Sequence, residues 1–77
     1  MPYDESTFRR IVIESLHIPA QSYTPDLRLG DIEQWDSIAH LDLVSAIEEA
    51  FDLRLTGDEI VDLTGLEDLR ARISRAP

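Results

Sequence analysis

The chain has 77 residues, 43 % of them hydrophobic, a net charge of −9 and no cysteine. A chain of this size buries only about 60 % of the surface it would expose unfolded. It has neither disulfide nor thiolate metal site to supplement its core, and no apolar run approaches the ~18 residues of a membrane span.

The acidic charge is unevenly placed. Twelve of the 16 acidic residues lie between Asp31 and Asp68, where Arg54 is the only basic residue. The middle of the chain therefore carries −11 and the flanks +2. A nucleic-acid partner is not expected, because displacing counterions from phosphates requires a basic surface. A negative field of this kind suits basic protein partners, whose association it accelerates. The opening MPYDESTFRR lacks the basic start and apolar stretch of a secretory signal, so the expected location is the cytoplasm.

In chain order, Phe8, Ile11, Val12 and Leu16 recur at three- and four-residue steps, which predicts a helix from about Asp4 to Leu16, with His17 at its end. From His17 to Asp36 the periodicity lapses, and Pro19, Pro25 and Gly30 punctuate a long loop. Leu27, Leu29, Ile32 and Trp35 are its anchors to a core. Loops this long are uncommon in small domains unless they serve a function.

Asp36 then fits a helix N-cap. At about 100° per residue, His40, Leu43, Val44, Ile47, Ala50 and Phe51 gather on one side. Ile38, Asp42, Ser45 and Glu49 fall on the other, with Leu41 and Glu48 near the border. Ile38 is thus an apolar residue in a polar arc. Thr56 would cap a short helix from Gly57 to Leu63, followed by a turn at Gly65. Leu66, Leu69 and Ile73 mark a last helix to about Arg75, with arginines near its C-terminal end. The expected fold is all-α: one domain spanning residues 1–77, a small four-helix bundle of three main helices and a short third one.

Ser37 opens the second helix, where it could be a cap neighbour, a nucleophile or an attachment point. Helix starts are rich in Asp and Ser for backbone reasons alone. Ser37 and His40 are three residues apart and share a helix face, as a nucleophile and its base would. However, His40 points toward the expected core and a bundle this small offers little concave space. An anionic phosphodiester on Ser37, by contrast, would meet the positive helix end, a gain of about 0.3–1 kcal/mol. No metal site is expected. The acids from Asp31 onward lack the glycine that an EF-hand loop needs at its sixth position, where Asp36 stands.

The segment WDSIAHLDLVSAIEEAFDLRL, preceded by TPDLRLGDIEQW and followed by LTGDEIVDLTGLEDLRARI, resembles an acyl carrier protein across nearly the whole chain. The resemblance implies a non-catalytic carrier. Its D-S motif maps to Asp36 and Ser37, and Ser37 would receive phosphopantetheine from coenzyme A by a magnesium-dependent phosphopantetheinyl transferase. The arm's thiol would hold acyl groups as thioesters for partner enzymes such as ligases, acyltransferases or ketosynthases. Family members dock through the second helix, so Ile38, Leu41, Asp42, Ser45, Glu48 and Glu49 are the implied contacts, on a protein expected to be monomeric and free of membrane.

The sequence also departs from relatives of that family. Gln34-Trp35 replaces the Gly-Gly of peptidyl carriers, and Ser45 stands where fatty-acid carriers are often apolar. The W-D-S form resembles discrete carriers of polyketide, hybrid or other specialised pathways. An unmodified acidic adaptor that binds a basic partner and a small serine hydrolase are the competing readings. Intact mass after incubation with a phosphopantetheinyl transferase and coenzyme A separates the three.

Overall fold

A computed structural model describes residues 3–75, in the order α1 (Glu5–Leu16), a single 3-10 turn (Ala20–Ser22), α2 (Ser37–Phe51), α3 (Gly57–Asp62) and α4 (Leu66–Ser74). Residues 1–2 and 76–77, the ends of the expected domain, lie outside the described residues. Among the described residues there is no β-strand, only an isolated bridge between Arg28 and Gly65.

The helices α1, α2 and α3 each start on a side-chain cap, whereas α4 starts at Gly65 without one. Asp4 accepts from the Thr7 backbone N–H, so Asp4 is the cap of α1 and not its first residue. Thr56 and Glu59 form a reciprocal capping box on α3. That helix closes at Asp62, one residue before the expected Leu63, and α4 at Ser74, one before Arg75. His17 and Asp52 end α1 and α2 in the left-handed conformation, with φ of 56° and 52°.

The core is what the helical spacing requires. Phe8, Ile11, Val12 and Leu16 of α1 meet Leu43, Ile47 and Phe51 of α2, and Leu66, Leu69 and Ile73 of α4 complete the cluster. Burying each such side chain contributes about 1.5–3 kcal/mol. The short α3 supplies no fully buried residue.

The long loop is held by two devices. Leu27 and Trp35 sink into the core as expected, and Ile18, which the sequence pattern did not single out, joins them; Leu29 and Ile32 pack only partly buried at its edge. Around the Arg28–Gly65 bridge, Leu29 donates its backbone N–H to Thr64 (2.8 Å) and Leu66 donates to Leu27 (2.9 Å). A Cβ on Gly65 would come within 2.9 Å of the Arg28 guanidinium, the end of a flexible, exposed side chain that would have to move aside. These bonds tie the middle of the loop to the segment between α3 and α4.

Candidate functional site around Ser37

Asp36 is extended (φ −107°, ψ −174°) and its Oδ1 accepts from the Ala39 backbone N–H at 2.9 Å. Its own carbonyl accepts from His40 N–H. Ser37 is therefore the first helical residue of α2, solvent-exposed, and the amides of Ser37 and Ile38 have no partner within the helix. An anionic group on the Ser37 hydroxyl would meet these amides and the positive end of the helix dipole. The site fits a phosphodiester-linked arm.

The face beside Ser37 is apolar and unusually open. Ile38 is 75 % exposed and Leu41 57 %. Asp42, Ser45 and Glu49 continue the exposed arc along α2, in the helical phase expected from the sequence. Glu48 differs from them: it is half-buried, and its Oε2 accepts from the Leu55 backbone N–H at 2.8 Å, so it also shapes the turn into α3. Val61 of α3, 73 % exposed, is a large apolar residue that sequence reasoning missed. A helix of six residues is too short for periodicity to reveal which side faces out.

Between α2 and α3 lies a groove of about 320 Å³. Ser37 stands on its lip, Leu29, Leu41, Ile60 and Val61 form its walls, and His40 is at its base. A second cleft of about 550 Å³ opens near the other end of α2, lined by Ser45, Glu49, Asp52 and Arg54 among others. Its charged lining sets it apart from the groove at Ser37.

His40 is buried at 5 % exposure and both ring nitrogens are engaged. The Trp35 indole N–H donates to Nδ1 at 3.1 Å, so Nε2 carries the proton and donates to the Ile60 carbonyl at 2.9 Å. Neither nitrogen has a lone pair free for the Ser37 hydroxyl, and a Ser–His dyad is not assembled. Among the described residues, no group of three or more His, Asp or Glu side chains is placed to hold a metal ion, and no helix is long and apolar enough to cross a membrane.

Residues 6–73 match the family described as phosphopantetheine attachment site. The chain belongs to this family of carrier domains. It is also similar to the acyl carrier protein MbtL of Mycolicibacterium paratuberculosis, at 34 % identity over 67 residues that cover 87 % of this chain and 75 % of that protein. The carrier is thus a non-catalytic helical domain whose family bears covalent phosphopantetheine, the product of a phosphopantetheinyl transferase. Its four helices and their order agree with the fold expected from the sequence.

Proposed function

We propose that Ser37 is the residue that takes the phosphopantetheine arm, and that the exposed arc of α2 is the surface partner enzymes read. The observation that carries this reading is the position of Ser37: exposed, first in the helix, beside a capping Asp36. In the transfer, the Ser37 oxygen bonds to the pantetheine-side phosphorus of coenzyme A and the pyrophosphate linkage breaks. Adenosine bisphosphate leaves with the electron pair, and the hydroxyl proton passes to a base on the transferase. The chain itself supplies the hydroxyl, the flanking helix end and the docking face. When bound, the arm supplies a terminal thiol that carries acyl groups as thioesters.

Ile38 and Leu41 offer an apolar contact next to Ser37, with Asp42, Ser45, Glu48 and Glu49 as a mostly acidic continuation. Transferase, ligase, acyltransferase or ketosynthase partners with a basic rim around an apolar patch fit this face. The Gln34-Trp35 pair before the motif and the exposed Ser45 support a role in polyketide, hybrid or other specialised biosynthesis, by a monomeric single domain acting in the cytoplasm.

Intact mass and peptide mapping after incubation with a broad-specificity transferase and coenzyme A test the assignment. The expected result is one arm on Ser37, and a Ser37→Ala protein that folds but gains no mass. An arm mapped to any other residue would falsify it.

A further inference from the structure

Between Asp31 and Asp68 the chain carries twelve acids, and Arg54 is the only base among them. Arg54 is exposed, and it lines the cleft of about 550 Å³ at the far end of α2 together with Ser45, Glu49 and Asp52. Among the described residues it makes no ion pair, although Glu49 and Asp52 share its cleft. Arg28, Arg70 and Arg72, by contrast, each pair with an acid. The Arg54 guanidinium is therefore free to meet a partner.

The backbone that presents this side chain is held by three hydrogen bonds. The Leu53 N–H donates to the Glu48 carbonyl (3.1 Å), the Leu55 N–H to Glu48 Oε2 (2.8 Å), and Arg72 Nη2 to the Arg54 carbonyl itself (3.2 Å). Arg72 is fixed in turn by its ion pair with Glu59 of α3. The root of Arg54 is thus set, which confines its charge to one end of the α2 face.

Distance decides whether a partner at Ser37 meets that charge. The 15 residues of α2 extend about 22 Å at a rise of about 1.5 Å each. A standard interface covers about 800 Å² on each partner, a patch roughly 30 Å across. A partner lying along the arc from Ser37 through Asp42, Ser45 and Glu49 therefore reaches the cleft, where the carrier's charge changes sign. A carboxylate opposite Arg54 can pair with both sides of the guanidinium fork. A base placed there is repelled, and repulsion of this kind selects among partners that the rest of the face attracts alike.

We infer that Arg54 is a specificity-determining residue of the α2 face: it fits a partner enzyme whose basic rim stops at Glu49 and turns acidic at the cleft, and it weakens docking of enzymes that remain basic along the whole helix. This rests on the exposed arc of α2 as the docking face.

The test uses the whole chain with a broad-specificity phosphopantetheinyl transferase and coenzyme A. An enzyme that loads many acidic carriers is matched to their shared negative charge and not to one arginine, so it is a partner of the disfavoured kind. Arg54→Glu should raise kcat/KM for arm transfer by about threefold or more at 0.1 M salt, where the Debye length is about 10 Å, through a lower KM with kcat unchanged. The gain should vanish near 1 M salt, and Arg54→Gln should fall between. Arg10→Glu makes the same change of charge at an exposed position of α1, which helical spacing turns away from the Phe8, Ile11 and Val12 face, and should alter kcat/KM by less than about 1.5-fold. Urea midpoints confirm that each variant is folded. Equal effects of Arg54→Glu and Arg10→Glu, no effect of Arg54→Glu, or slower loading by it each overturn the inference. Asp42→Lys separates this failure from failure of the docking face. If it slows loading while Arg54→Glu changes nothing, Arg54 alone is ruled out as a selector; if neither changes the rate, the α2 face itself is not what the transferase reads.

Discussion

The Arg70 guanidinium meets the Glu5 carboxylate across 65 residues of sequence, Nε to Oε1 at 3.2 Å. Its Nη2 also donates to the Tyr23 hydroxyl (3.1 Å) and to the Pro25 carbonyl (2.8 Å), and its Cζ lies 5.2 Å from the centre of the Phe8 ring. One side chain of α4 thus ties the first turn of α1 to the loop.

Replacing Arg70 by Ala should lower stability by about 1–3 kcal/mol, because several hydrogen bonds and a ring contact go together. In a domain of this size that is a fall in Tm of roughly 5 °C or more. Arg70→Lys should fall between the two, since an ammonium keeps the charge but not the planar fork. Urea midpoints of the three proteins check this, and equal midpoints would show that the cluster is decorative.

Stability should decline in acid partly through Glu59 and Asp4. The Thr56 backbone N–H, and next Arg72, hold the Glu59 carboxyl below its ordinary value; the Thr7 hydroxyl is foremost in doing so for Asp4. A depressed folded pKa means stability that is present above the ordinary carboxylate range and lost as pH falls through the folded value. Glu59→Gln should therefore be less stable than the unaltered chain at neutral pH and converge toward it between about pH 5 and about pH 3. Urea melts across that window decide the point, and curves that stay parallel would contradict it.

Asp42 and Glu49 are exposed on the arc that continues from Ser37. Reversing both charges should slow arm transfer while changing stability by no more than about 0.5 kcal/mol per site. Added salt should slow loading of the unaltered chain, because the Debye length shrinks to about 3 Å at 1 M. Initial rates with the transferase read both effects. Rates indifferent to charge and salt would exclude electrostatic docking.

Ile38 should separate recognition from folding. At 75 % exposure its side chain has little burial to lose, so Ile38→Ala should cost well below the ~1.5–3 kcal/mol of a core residue. Loading at subsaturating carrier should slow, since an apolar anchor beside Ser37, the proposed attachment residue, is removed. A large loss of stability with normal loading would place Ile38 in the core instead.

The elements that repeat were legible in the sequence. Phe8, Ile11, Val12 and Leu16, like Leu43, Val44, Ile47 and Phe51, state their common face by spacing alone, and the predicted ends of the helices differ from the observed ones by at most one residue. Asp36 and Thr56 were equally readable as caps because capping is local chemistry. The contacts that position the site were not readable. Trp35–His40–Ile60, Arg28–Gly65 and Arg70–Glu5 each join residues brought together by the packing of helices, and no period in the chain encodes such meetings. Ile18 was missed for a related reason: it follows the end of α1, where helical phase no longer says which way a side chain turns.

The two left-handed helix ends, His17 and Asp52, leave thermal tolerance in reserve. Both positions ask for a backbone conformation that glycine adopts without penalty and that a β-carbon resists by about 1–2 kcal/mol in general, less for Asp. Asp52 adds a negative charge at the negative end of α2. His17→Gly and Asp52→Gly should each raise Tm, and together they would yield a hardier carrier. Neither change falls on Ser37 or on the apolar patch beside it, so durability and partner choice can be altered independently.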